Sequence, residues 1–353
     1  MDLKLKNWQL NLGVAYHGNR ILRHVEEDMK DIVAHNMNTV VHMFTHNDWD
    51  RHLAVMKDII SVSEYYGLNV WVDNWGIAGA PGDKAHFLLT HHDAHQILSD
   101  GKPHAYMTCF NNEDFVKFSQ DWAYTVREIG GKKLFWDEPA IVGNGTDGKP
   151  FGCFCPTCRK LFRERYGKEM DPSGMTPEMK EFRNWTIQNY FRKMTDYAAS
   201  LGLENSCCSM PHNFDEVEGV LALPHMDDVG IDPYWNPAHH PERNPYISVY
   251  EKGEAAYEKI KASGKKHHLW IQAHGNPAYQ EDDVIMATDA AYDLGSRDIL
   301  YWSYRGGESN TYRAEKCEKL WHAVGEATAR IRNRHFDILR QESIAELQKM
   351  KQK

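Results

Sequence analysis

Two adjacent carboxylates close an apolar run in "KKLFWDEPAIVGNG" (132–145): Asp137 and Glu138, with Pro139 behind them. Proline cannot donate to a sheet ladder, so the run ends there and the chain leaves as a loop. Neighbours in a strand point to opposite faces, so both carboxyls enter one site only where the strand stops being regular. Close carboxyls push each other's proton affinities apart, leaving one protonated near neutrality. That suits glycosidic cleavage, which needs an acid for the leaving oxygen and a group that steadies positive charge at the anomeric carbon.

A thiol cluster follows. Cys153, Cys155 and Cys158 form Cys-x-Cys-x-x-Cys, and Cys109 lies upstream in "YMTCFNNEDF". The N-terminal stretch lacks the apolar core and cleavage site of a secretory leader, which favours a cytoplasmic location. There, thiols at this spacing suggest zinc before disulfides. Four thiolates fill a tetrahedral site, so the expected zinc is structural and pins the wall beside Glu138. Cys207, Cys208 and Cys317 read as small buried residues.

The net charge of −9 argues against nucleic acid or an anionic membrane surface, and no apolar run approaches spanning length. Homo-oligomerisation stays open. Many of the 11 Trp, 17 Tyr and 20 His fall at the ends of apolar runs, which suits a pocket that stacks on a ligand's flat faces.

The elements that must position these groups alternate from start to finish. Strand-like runs occupy 10–18, 39–44, 69–75, 133–139, 205–213, 228–235, 268–275 and 298–306, separated by amphipathic helical stretches. Eight strand–helix units predict an α/β fold, a single-domain (β/α)8 TIM barrel over 1–336, with a helical tail over 337–353. A doubly wound open sheet is the runner-up, without a Gly-rich phosphate loop after its first strand. Long insertions at 76–111 and 140–183 fall on the C-terminal face, where barrel active sites sit, the second carrying the zinc staple after strand 4.

In that fold the strand ends converge. They carry His17, His42, Asp73, Trp75, Asp137, Glu138, His212, Asp232, Tyr234, Trp235, Gln272, His274, Tyr301, Trp302 and Arg305. Asp137 and Glu138 are the catalytic candidates. The rest read as a sugar pocket, with carboxylates and amides for hydroxyls and aromatic rings for C–H faces. A metal-dependent hydrolase or isomerase would call for a clustered pair such as His-x-His on the first strand, which is missing.

"CFNNEDFVKFSQDW…KLFWDEP…CFCPTCRKLFRERYG" resembles the zinc-bearing segment of family 42 β-galactosidases. That resemblance implies a barrel with Glu138 as acid/base at the end of the fourth strand. Two residues depart from it: Gln272 stands where the family's nucleophilic Glu is expected, and Asp137 replaces an Asn. "WDEP" is similar to the Asp-Glu pair of family 123 β-N-acetylgalactosaminidases. That likeness implies substrate assistance: the sugar's acetamido oxygen attacks the anomeric carbon, Asp137 steadies the oxazolinium and Glu138 is the acid/base.

Three functions follow. The first is a retaining exo-β-N-acetylgalactosaminidase or β-N-acetylhexosaminidase acting on terminal β-linked N-acetylhexosamine. The second is a β-galactosidase-like or inverting glycosidase with Asp232, Asp73 or Glu308 as nucleophile or base. The third is a non-catalytic carbohydrate-binding barrel, suggested by Gln272.

Overall fold

The computed structural model describes residues 10–79, 86–145 and 148–352. The expected start of the domain (1–9) and parts of both insertions (80–85 and 146–147) lie outside the described residues.

Ten strands are present among the described residues: β1 (Asn11–Tyr16), β2 (Thr39–Met43), β3 (Asn69–Asp73), β4 (His95–Ile97), β5 (Pro103–Thr108), β6 (Lys133–Trp136), β7 (Glu204–Ser209), β8 (Asp228–Ile231), β9 (Lys266–Gln272) and β10 (Asp298–Trp302). Eight of them close a parallel barrel in the order β1-β2-β3-β6-β7-β8-β9-β10. The eight expected runs supply these eight strands, and closure excludes the open sheet. The remaining two, β4 and β5, form an antiparallel hairpin inside the first insertion.

The helices are α1 (Leu22–Ala34), α2 (His46–Tyr65), α3 (Glu113–Glu128), α4 (Pro156–Tyr166), α5 (Pro177–Ser200), α6 (Phe214–Val217), α7 (Pro245–Ser263), α8 (Asp283–Leu294) and α9 (Cys317–Lys351). The second insertion is not all loop, since α4 lies within it and α5 begins inside its expected bounds. Thr176 caps α5 by accepting from the Met179 amide, and Pro177 fits the first turn, where its missing N–H costs nothing. The terminal helix α9 runs past residue 337 without a break, and beyond Leu339 it is exposed. Among the described residues no helix is long and apolar enough to cross a membrane.

Alternation along the strands divides the core in two. Val14, Tyr16, Val40, Val70 and Ile299 face the helices, while Ala15, Val41, Trp71, Phe135, Cys208, Trp270 and Leu300 pack inside the barrel. Gly230 leaves room inside for His268, whose ring would lie 2.3 Å from a β-carbon at 230.

Candidate active site

Chain irregularity brings the carboxylates together. Strand β6 ends at Trp136, and Glu138 takes a left-handed backbone (φ +40°) that turns its side chain onto the same cleft as Asp137. The Glu138 amide still donates to the Cys208 carbonyl of β7 at 3.1 Å, so the turn stays tied to the barrel. Trp75, Asn236 and Arg305 share that left-handed conformation at the same rim. Such strain persists only where surrounding structure enforces it, and it clusters at functional sites.

The cleft, about 350 Å³, is lined by Asp137, Glu138 and Asp232 and walled by Trp75, Tyr234, Trp270, His274 and Trp302. Below it lies Asp73, fully buried, with Oδ1 accepting from the Trp75 amide at 2.6 Å. Among the described residues no Lys or Arg pairs with any of these four carboxylates. Burial pushes the Asp137 carboxyl well up, and Asp73, Glu138 and Asp232 add to the push. Asp73 is raised by burial and then by Glu138, against the pull of the Trp75 amide. Burial also raises Glu138, opposed by a hydrogen bond with Asp232 and by the charge of His212. Asp232 is raised by burial and by Glu138, while the Cys208 thiol, donating at 3.1 Å, pulls it back. Burial and mutual proximity thus raise the proton affinity of all four carboxyls above that of isolated ones.

The strand ends do not all serve this cleft. Trp75, Asp232, Tyr234, His274 and Trp302 line it. His17 is wedged edge-on between Trp75 and Trp302, its ring centroid 4.4 and 4.8 Å from theirs. His212 stands exposed at the rim. Four expectations are corrected by geometry. Both His42 and Tyr301 sit at outward-facing strand positions and are fully buried, His42 against Ser63 of α2 and Tyr301 against Thr288 of α8. Trp235 is buried with its indole donating to Asp283, and Arg305 is paired with Glu308 outside the cleft. Gln272 points inward, but its amide is committed to backbone: Oε1 accepts from Asn236 N and Nε2 donates to the His274 carbonyl.

Solved structures share this barrel. A cold-adapted β-galactosidase from Rahnella sp. R3 superposes with a TM-score of 0.69 at 11% identity over 92% of this chain. The match covers 56% of the galactosidase, so this chain spans little more than half its length. An endo-1,4-β-mannanase from Rhizomucor miehei gives 0.61 at 8% identity, covering 91% of this chain and 95% of that one. The catalytic domain of a β-amylase from Paenibacillus polymyxa gives 0.59 at 9%, covering 90% and 98%. No family description matches the chain, and no curated protein matches it in sequence. At these identities the likeness establishes the fold.

Sequence reading missed Trp270, Ser303, Asn310 and Tyr312, which also line the cleft. Trp270 was findable, since it sits two residues before Gln272 and shares its inward face. The others lie on the loop after β10, where no period applies. Asp73 Oδ2, Trp270 Nε1 and His17 Nε2 are buried without partners among the described residues, as groups that await a ligand can be.

Cys109, Cys153, Cys155 and Cys158 are buried, with their sulfurs within 4.8 Å of one another, and could hold a metal ion. Among the described residues they are the one such group. Cys109 follows β5 and Cys155 caps α4, so the cluster joins the hairpin to the loop leaving Glu138. Gln96 clamps that loop by donating to the Ala140 carbonyl and accepting from Val142 N. Arg183 holds it from the other side through the Ile141 and Gly152 carbonyls at 2.8 and 2.9 Å.

Proposed function

We propose that the protein is a retaining β-N-acetylhexosaminidase, preferring N-acetylgalactosamine and working by substrate assistance. Glu138 gives its proton to the glycosidic oxygen as the C1–O bond breaks. The acetamido carbonyl oxygen closes on C1, and Asp137 accepts the acetamido N–H and steadies the cationic oxazolinium. Water then adds to C1 on the face the leaving group vacated, returns a proton to Glu138 and reopens the ring with retention. Trp75, Trp270 and Trp302 form the walls against which the sugar's C–H faces stack.

One observation carries the reading. Two adjacent carboxyls face the cleft, while the residue ending the seventh barrel strand, Gln272, is an amide locked to backbone. An enzyme nucleophile is thus missing from that position, while Asp137 stands beside the acid. The glycosidase names of the structural neighbours agree with carbohydrate chemistry. Of the carboxylates open to the second function, Glu308 pairs with Arg305 outside the cleft, while Asp232 and Asp73 lie near enough to Glu138 to be raised by it, and a direct nucleophile would stand about 5–5.5 Å from that acid.

The four cysteines are proposed to hold a structural zinc. Tetrahedral Zn–S bonds of about 2.3 Å set sulfurs about 3.8 Å apart, close to the 3.5 and 3.6 Å from Cys109 to Cys158 and Cys155. Zinc there would hold the loop that carries Glu138 and take no part in the reaction.

The test is turnover of 4-nitrophenyl β-N-acetylgalactosaminide and inhibition by a thiazoline mimic of the bicyclic intermediate. Asp137→Asn should lower kcat by about 10²–10³-fold on acetamido substrates, the order set by loss of a group that stabilises transition-state charge. Inertness toward every 2-acetamido glycoside would refute the proposal. Substantial activity in Asp137→Asn would transfer the case to the two-carboxylate glycosidase.

A further inference from the structure

The acid cleft shares two walls, Trp75 and Asn310, with a second cavity of about 410 Å³ on the side of β1 and β2. Its base is rigid and charge-matched. Arg20 pairs with Asp48 at 2.9 Å and donates to the Met43 carbonyl, and Asp48 and Thr45 cap α2 reciprocally. Capping of this kind contributes about 1 kcal/mol and fixes the helix start.

Other groups lining the cavity have no such commitments. Ser309 and Thr311 present hydroxyls, the Asn310 side-chain nitrogen makes no bond among the described residues, and the buried Nε2 of His17 has no partner there. Burial pushes His17 down to about 3, so its ring is a neutral donor or acceptor.

We propose that this cavity is a second sugar subsite, holding a neutral pyranose on the side of the cleaved residue away from the leaving group. The inference rests on the glycosidase reading and deepens it. Direction follows from Glu138, which must stand over the departing oxygen. The second cavity touches neither Glu138 nor the adjacent Asp232 and Tyr234, so the leaving group does not run into it. Ligand class follows from the matched Arg20–Asp48 pair, which leaves no spare charge for a sulfate or uronate, while hydroxyls, an amide and an indole suit a polyol. A chain occupying both cavities is cut one sugar in from its end, which replaces the expected release of single terminal residues.

The experiment compares 4-nitrophenyl β-N-acetylgalactosaminide with the 4-nitrophenyl β-glycoside of galactosyl-β-1,3-N-acetylgalactosamine. For the wild type, kcat/KM should be at least tenfold higher on the disaccharide, which leaves intact, and 3-O-sulfation of the galactose should remove the gain. Thr311→Trp, which fills the second cavity, should abolish the preference while leaving the monosaccharide within twofold, and Thr311→Ala should reduce it about threefold. Equal kcat/KM in the wild type, or a matching loss on both substrates in both variants, overturns the subsite. If neither glycoside is hydrolysed, the activity reading falls, and binding to Glu138→Gln followed by tryptophan fluorescence judges the subsite alone. Tenfold tighter binding of the disaccharide supports it, and equal or undetectable binding overturns it.

Discussion

The barrel buries charge at both ends, in opposite ways. Near the N-terminal end, the Lys133 ammonium meets Asp228 and lies 3.4 Å from the centre of the Trp71 ring, and His268 Nδ1 bonds the same carboxylate at 2.8 Å. Burial would raise Asp228, but Lys133 and His268 outweigh it and hold it far below its ordinary range. At the C-terminal end four carboxyls are gathered without a matching Lys or Arg among the described residues, and all are raised. A matched buried cluster serves the fold. An unmatched one costs stability and persists for chemistry, in keeping with the division of labour between the two faces of such barrels.

If that contrast is right, substitutions at the two ends should have inverse signatures. Glu138→Gln should lower kcat by about 10²–10⁴-fold, the usual contribution of a general acid, with Tm unchanged or raised because a crowded carboxylate is gone. Lys133→Met should do the reverse. Leaving Asp228 buried without its cation should cost about 3–5 kcal/mol, with kcat per folded molecule unaltered. Steady-state kinetics and urea unfolding on both variants suffice. A Lys133→Met enzyme as stable as the wild type, or a Glu138→Gln enzyme that unfolds early, would erase the distinction.

Thiol chelation should give a smaller effect of intermediate kind. Stripping the proposed zinc from the four cysteines should lower Tm by roughly 5 °C, what a few kcal/mol produces in a domain of this size. Hydrogen exchange should rise first in residues 140–145 and 148–155, which carry the Gln96 and Arg183 contacts. Activity should fall with it, since that loop follows directly after Glu138 and Pro139. Loss of activity with exchange unchanged would point to a catalytic metal instead.

The fold was legible because each barrel strand is a short apolar run bounded by polar residues, and because eight of them alternate with helices. The site was legible only in part, for a reason visible in the register. Inward positions follow a period of two, which assigns Asp73, Asp137, Asp232, Trp270 and Trp302 to the interior and His42 and Tyr301 to the helix layer. Counting strand-end polarity without phase therefore admitted two buried outward residues and overlooked Trp270. Glu138 breaks the phase, and only its left-handed backbone brings it to the cleft. No periodicity encodes the choice of Asn310 and Tyr312 from a loop, or the capture of the Gln272 amide by Asn236.

The finest expected difference between the two ends is their pH dependence. Raised carboxyls bind protons more tightly folded than unfolded, so their stabilising contribution is complete below the ordinary Asp value of 3.8 and is lost as pH climbs toward their raised values. Asp228 behaves oppositely: its contribution is present above 3.8 and is lost as pH falls below it. The cleft carboxyls should therefore contribute a decline in unfolding free energy above pH 3.8, at most about 1.4 kcal/mol per unit for each proton, against the rise contributed up to the ordinary His range by the buried, downward-shifted His17, His42 and His267. Asp137→Asn should flatten that decline, because an amide has no proton to lose. Lys133→Met should leave the decline intact and remove the acid-side loss, because Asp228 without its cation is no longer held low. Stability curves of wild type and Asp137→Asn that run parallel from pH 4.5 to 7 would mean that Asp137 binds its proton no more tightly in the folded protein than in the unfolded chain, and the contrast between the two ends would lose its titrating member.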